Sequence, residues 1–386
     1  MKINKTILIL FVILISCKSG LEEQENSRVV AINLDDSKPE LLSRKVKSIE
    51  YLLLNYVDSL PIVNPTKIMV LPNRIYVCDH NLHNIFIFDR KGKVINVIES
   101  KGEGPQEFNY INDFIVDDRD IVIFDTQLHK IIRYKENGKF ISEERTNIIA
   151  ETLVQTPDFR LFYMNYNTDA EGFNFVRITP DQKVSAYLPI KKEFEEVRVL
   201  DWNAFVVDRF RHEYAYKLPY TYNIVFFNKD GSFKELVHFD LGDAKIDEEL
   251  LLLLRKDKPK LYELRETENR VIDISDIFPI RTGYYLELYR GNKFHYIFLD
   301  EKLNIELQAS EFKNDLDGMR FKGSPRTYGD NELIYATQSP TFFNDYMSQF
   351  KNKYLPNEGK GIHEFVAKNK LGLQEEKYVL TILKLQ

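Results

Sequence analysis

Three pairs of residues share one spacing: Asp79 and Asp125, His83 and His129, and Gly92 and Gly138 each stand 46 positions apart. They occupy matching places in IYVCDHNLHNIFIFDRKGKVINVI (75–98) and IVIFDTQLHKIIRYKENGKFISEE (121–144). A third copy, NIVFFNKDGSFKEL from Asn223, puts Gly231 at its turn, 93 positions beyond Gly138 and so two periods on. FNFVRITPDQKVSAYL from Phe173 and KFHYIFLDEKLNIEL from Lys293 fit as weaker copies, the second without the turn glycine. A period of about 40 to 50 residues, made of short runs rich in Ile, Val, Phe and Tyr, is the signature of propeller blades, since one such unit cannot bury its own apolar face and must stack on the next.

Each unit supplies four strand-like runs. In the second they are 112–118, 120–126, 130–136 and 139–146, with Asn137 and Gly138 closing a tight hairpin where glycine takes a positive φ at little cost. Units begin near 64, 111, 150, 201, 271 and 319, which makes six, at about 47 residues each once two insertions are set aside. The C-terminal run EKYVLTILKL lacks an outer strand, and KSIEYLLLNY from Lys47 precedes the first complete unit. Pairing the two closes the ring and removes its exposed edges. The fold expected is therefore all-β: a six-bladed β-propeller with two short helical insertions on one face.

Composition adds boundaries to this. With 53 Lys+Arg against 59 Asp+Glu the chain carries −6, and no basic cluster is present, so nucleic acid is not an expected partner. Lys2 and Lys5 precede an apolar run, Ile7 to Ile15, that is too short to span a bilayer, which takes roughly 20 residues. Ser16-Cys17 after it resembles the end of a bacterial lipoprotein signal, which implies residues 1–16 as signal peptide and Cys17 as the lipidated first residue of a chain carrying −8. The polar stretch 17–45 reads as a flexible tether and 46–386 as the propeller. The expected address is an outer-membrane lipoprotein, periplasmic or surface-exposed, touching the membrane through its lipid alone. Lys18 and the acidic Glu22, Glu23 and Glu25 lean toward the outer membrane by resemblance to export signals. Cys78 then has no partner and sits mid-strand, as inert core.

GEGPQEFNYINDFIVD (102–117), followed by DIVIFDTQLHKIIRYKENGKF, resembles the NHL repeat, and residues 45–386 as a whole resemble the six-bladed β-propeller lipoproteins common in Bacteroidetes. The pattern departs from the NHL consensus at Leu82, where Asn is usual, and at Asn84 and Lys130, where Arg is usual. The resemblance implies the fold and leaves function open, since repeat residues are scaffolding shared by binders and enzymes.

Several motifs read as scaffold. Gly102-Glu103-Gly104-Pro105 lacks the third glycine and following helix of a nucleotide loop, and reads as a crossover between blades. Asp79 and Asp125 follow a strand and are placed to accept hydrogen bonds from turn backbone, and His83 and His129 share a repeat position and hence a structural role. His363-Glu364 begins like a zincin helix, but Ala367 stands where the second histidine belongs. No Gly-x-Ser-x-Gly elbow is present.

Function is expected at the insertions. Residues 243–265 begin acidic and end basic before Pro259, a helix polarity, and 339–372 carry Phe342, Phe343, Tyr346, Met347 and Phe350 at helical spacing. In a four-stranded meander, the loops joining strands two and three and those joining blades emerge on one face, so both insertions rise there. The expected ligand contacts are Tyr110, Asn112, Trp202, Asn203, Arg326, Tyr328 and Phe343, aromatics beside amides that suit a glycan or a peptide. The first reading is a non-catalytic, membrane-tethered binder of such a ligand or of an envelope protein, with no cofactor. The alternative is a metal-dependent propeller hydrolase or lyase, lactonase-like, acting on sugars or modified peptides, with a divalent ion held by Asp113, Asn203 and Asp330. A third reading is a subunit of an outer-membrane uptake or assembly complex.

Overall fold

The computed structural model describes residues 26–56, 59–99, 102–117, 119–167, 172–190, 192, 204–247, 250–251, 254, 257–320, 323–350 and 361–386. Three strands come first: β1 (Ser27–Ala31), β2 (Lys38–Leu41) and β3 (Val46–Leu54). Blade 1 is β4 (Pro65–Val70), β5 (Arg74–Asp79), β6 (Asn84–Asp89) and β7 (Val94–Ile98), and blade 2 is β8 (Asp113–Asp117), β9 (Asp120–Asp125), β10 (Lys130–Lys135) and β11 (Phe140–Arg145). Blade 3 is β12 (Thr152–Gln155), β13 (Arg160–Tyr163), β14 (Phe173–Ile178) and β15 (Val184–Pro189). Blade 4 is β16 (Val206–Asp208), β17 (Glu213–Lys217), β18 (Asn223–Phe227) and β19 (Phe233–Asp240). Blade 5 is β20 (Val271–Ile280), β21 (Gly283–Arg290), β22 (Lys293–Asp300) and β23 (Ile305–Lys313). Blade 6 is β24 (Thr327–Tyr328), β25 (Glu332–Gln338) and β26 (Tyr378–Leu385), completed by β3 as its outer strand.

The sandwiching of each blade between two others explains its sequence. Along β5, Ile75 and Val77 pack toward blade 6 with Ile334, Leu380 and Ile382, while Tyr76 and Cys78 pack toward blade 2 with Phe114, Ile121 and Ile123. Successive side chains thus enter different cores, and the middle strands read as unbroken apolar runs although their side-chain period is two. Outer strands meet water: β11 is half-buried or exposed throughout. The ring closes as the terminal runs suggest, with β26 and β3 antiparallel from Tyr378↔Leu54 to Leu385↔Val46.

The repeat residues are turn chemistry. The Asp79 carboxylate accepts from the backbone N–H of Asn64, Asn81 and Leu82 at 3.0 to 3.1 Å, and of Val63. Asp125 does the same with Asn109, Tyr110, Gln127 and Leu128 at 2.8 to 3.1 Å. One side chain ties the loop entering the blade to the turn between its second and third strands. His83 and His129 adopt φ of 53° and 54°, a left-handed turn position that histidine tolerates better than most residues. Gly92, at φ 77°, is required twice over, since a Cβ there would lie 2.2 Å from the Leu53 carbonyl oxygen of β3. Leu303, where the turn glycine is lost, still takes φ 61°.

The tether expected over 17–45 is corrected for its described part. β1 lies parallel on the outer edge of β19, and β2 parallel on β23, so the chain straps blades 4 and 5 before completing blade 6. Ile32 and Leu34 are buried in the core, which accounts for the order of this polar stretch. The first insertion is also corrected: helix α1 spans Lys258–Thr267 and has Pro259 in its first turn, where proline is tolerated, after Asp257 as N-cap. The second insertion carries α2 (Ser339–Phe350) and α3 (Ile362–Asn369) between β25 and β26. No described helix is long and apolar enough to cross a membrane.

Candidate functional site at the channel mouth

The inner strands β4, β8, β12, β16, β20 and β24 surround a central channel of about 390 Å3. Above it, on the face where the blade-joining loops and the second insertion rise, opens a cavity of about 990 Å3. Its wall runs from Asn64, Pro65 and Thr66 of blade 1, past Lys217, Ser275 and Asp276, then Met319, Arg320 and residues 323–326, to Gln338, Thr341, Phe342 and Asp345 of the second insertion. Thr66, Lys217, Asp276 and Arg326 border both spaces, so the cavity continues into the channel.

Two of the residues read from the sequence as contacts build the scaffold instead. The Asn112 side-chain oxygen accepts from the Thr126 backbone N–H at 3.0 Å and from its hydroxyl. Tyr328 is corrected in position: it is not on the loop face but within the channel wall, on β24. There its hydroxyl accepts from Val207 N–H on blade 4 at 2.7 Å, and its ring packs on Phe278 at 5.6 Å. Burial pushes its hydroxyl up to about 12, so it stays a neutral clamp.

Tyr110 belongs to a ring cluster at the edge of the face. Its hydroxyl meets His80 Nε2 at 2.7 Å, and its ring lies 5.1 Å from that of His83. Burial, with the adjacent His83, depresses His80 to about 4, which leaves it neutral at physiological pH. Phe343 is half-buried on α2 against the cluster formed by Leu53, Phe342 and Val379. Arg326 is the expected contact that the structure brings to the cavity and leaves exposed. Trp202 and Asn203 lie outside the described residues, as does Cys17.

The alternative metal set is corrected as well. Asp113 stands at the start of β8, whereas Asp330 follows the end of β24 in the turn to β25, so the two lie on opposite faces of the ring. Asp113 is moreover a brace: it accepts from Lys67 Nζ at 2.6 Å and from Leu153 N–H at 3.3 Å, and takes the Thr152 hydroxyl, joining blades 1, 2 and 3. Among the described residues no group of three His, Cys, Asp or Glu is placed to hold a metal.

Other groups that drew attention in the sequence are occupied. The Gly104 N–H donates to the Glu107 carboxylate at 2.9 Å and the Gly104 carbonyl accepts from buried Lys130 Nζ at 2.9 Å, so this loop is a crossover held by its own charges. Lys130, a departure from the NHL pattern, thus has a structural use here. Burial pushes the Cys78 thiol up to about 12, consistent with inert core.

The sequence missed what lies around Arg326. Arg320 is exposed in the cavity wall, fixed by buried Met319 beside it and by its N–H donating to Gln349 of α2 at 3.0 Å. Behind the wall, under Tyr335 and Ser324, Glu287 is fully buried and takes the Tyr285 hydroxyl. Burial raises its carboxyl to about 7, against the opposing hydrogen bonds of Ser324 and Tyr285. A glutamate inside an apolar strand was the available signal for this group.

These features define a class: a closed six-bladed propeller whose loop face holds a polar cavity above the channel. The family model described as 6-bladed beta-propeller, DUF5128, matches residues 20–336, and the chain belongs to that family. Among solved structures it is similar to a Bacteroides fragilis protein classed as exported, with a TM-score of 0.70 at 14% identity over 93% of this chain and 99% of that one. It is also similar to a DUF4221 family member from Bacteroides vulgatus, with a TM-score of 0.52 at 11% identity over 88% and 97% of the two chains. At these identities the likeness shows the fold alone. No curated protein matches the sequence.

Proposed function

We propose that this protein is a non-catalytic binding protein of the cell envelope that takes a polar ligand, a glycan or a peptide, into the loop-face cavity, and that a lipid on Cys17 holds it to the outer membrane. The observation that carries the reading is the cavity itself. At about 990 Å3 it is at the upper end of the size of ligand sites, it is bordered by loops of several blades, and it is roofed on one side by the insertion that departs most from the blade repeat. Likeness to a protein classed as exported, and the signal-like start of the sequence, support the address.

Thr341 is exposed in the first turn of α2 and faces this space. Thr341→Trp is expected to obstruct the cavity beside α2 and leave the fold intact. A thermal-shift screen of the full chain against neutral and acidic oligosaccharides and peptides should find ligands that raise Tm for the wild type and not for this variant. Ligands that stabilise both equally bind elsewhere, and the reading fails.

A further inference from the structure

Resting on the reading that the cavity is a ligand site, we infer that its ligand is an acidic glycan, whose carboxylate is gripped by Arg320 and Arg326. Both guanidinium groups are exposed in the wall of the same cavity, and among the described residues neither makes an ion pair. Most of the other described arginines are paired: Arg74 with Glu136, Arg90 with Glu332, Arg133 with Asp117, Arg211 with Asp208. The third cation of the wall, Lys217, is already engaged by Asp273 at 3.5 Å and the Ser275 carbonyl at 3.4 Å. Asp276 and Asp345 also line the space, but both are half-buried and have partners. The charge left over for a ligand is therefore positive.

Both arginines are also preorganised. Arg320 ends a turn, 314–320, folded tightly around Asn314 and Asp317: the Asn314 amide donates to Asp317 at 2.7 Å and to the Met319 carbonyl at 2.8 Å, and Tyr51 donates to Asp317 at 2.6 Å. Arg326 is held separately, its N–H donating to the Ile334 carbonyl at 2.7 Å. Guanidinium forks carried on a fixed backbone recognise carboxylates at a small entropic cost.

The rest of the wall favours a sugar over a peptide. Thr337 and Thr341 present hydroxyls, and Asn64 and Thr66, each with one bond to a neighbour, keep further donor or acceptor capacity, which matches sugar hydroxyls in either role. Of the apolar residues of the wall, Met319, Phe342 and Tyr335 are 4%, 3% and 8% exposed, and Pro65, Ala336 and Tyr378 are half-buried, which leaves few apolar groups to seat peptide side chains.

The probes are tetragalacturonate, its methyl ester and tetraglutamate, titrated calorimetrically into the full chain in detergent. Tetragalacturonate is expected to bind and to weaken with salt, and the methyl ester and tetraglutamate to bind at least about tenfold more weakly. Arg320→Gln and Arg326→Gln should each weaken the acid about tenfold or more without lowering Tm. No saturable binding of tetragalacturonate, equal binding of its methyl ester, or indifference to both substitutions overturns the inference. So does tighter binding of tetraglutamate, which would make the ligand an acidic peptide. A neutral ligand that Thr341→Trp excludes and the arginine variants retain would sink the acidic-glycan inference alone. Binding that is indifferent to Thr341→Trp sinks the cavity reading with it.

Discussion

A single carboxylate per blade does much of the work of turning a repeat into a rigid unit. Asp125 accepts four backbone N–H groups, two from the entering loop and two from the turn that follows. Asp125→Ala leaves these donors buried without a partner and is expected to cost about 3 kcal/mol. Asp125→Asn keeps one acceptor oxygen and should cost less, an order that urea denaturation of the two variants checks. Glu287 makes the opposite case, a carboxyl that burial raises from 4.5 to about 7. The unfolded chain releases this proton near 4.5 and the folded chain near 7, so the folded state binds more protons between those values. Stability from this group is full below pH 4.5, falls as pH rises, and is lowest above 7. Glu287→Gln should match the wild type at pH 4 and exceed it at pH 8 by up to about 3 kcal/mol. Equal differences at both pH values would disprove the account. Asp125 was legible because it recurs 46 residues from Asp79, whereas Glu287 has no counterpart in the repeat and its burial depends on the meeting of blades 5 and 6.

At the scale of elements, blades with tight turns and unbroken apolar strands were readable, and the strap over 27–41 was not. β1 and β2 are 5 and 4 residues long, and their partners lie more than 200 positions away. Segments this short carry no periodic signal, since one neighbour on an outer edge suffices to order them. The strap nonetheless completes two blades. Asn26 accepts from Leu236 N–H and Ile32 donates to the Asp240 carbonyl, both on β19, so by alternation Val30 also turns its N–H to that strand. Val30→Pro removes that bond and is expected to cost about 1 to 2 kcal/mol. Limited proteolysis should then cut within 26–33 before any blade is cleaved. Loss of the whole fold instead would mean that the strap is part of the closure made by β3. The mouth of the channel was the least legible element. Its wall is drawn from loops and strands of four blades, and among the described residues read as contacts Arg326 alone stands exposed in it.

For the molecule as a whole, the register of β1 decides which way the cavity faces. β19 runs from the hairpin face to the loop face, and β1 is parallel to it, with Ser27 opposite Leu236 and Ala31 opposite Asp240. The chain therefore enters the propeller from the hairpin side, opposite the cavity. If Cys17 carries the lipid, as proposed, the 9 residues 18–26 reach at most about 30 Å, and the loop face points away from the bilayer. A fluorophore on Glu301→Cys, in an exposed hairpin turn, should then transfer energy to acceptor lipids in proteoliposomes more strongly than one on Asn344→Cys, exposed on α2. Cys78 does not compete for the label, being buried with its thiol pushed up to about 12. Stronger transfer from position 344 would place the cavity against the membrane, where a soluble glycan could not enter it freely, and would send the search for a ligand to the lipid surface.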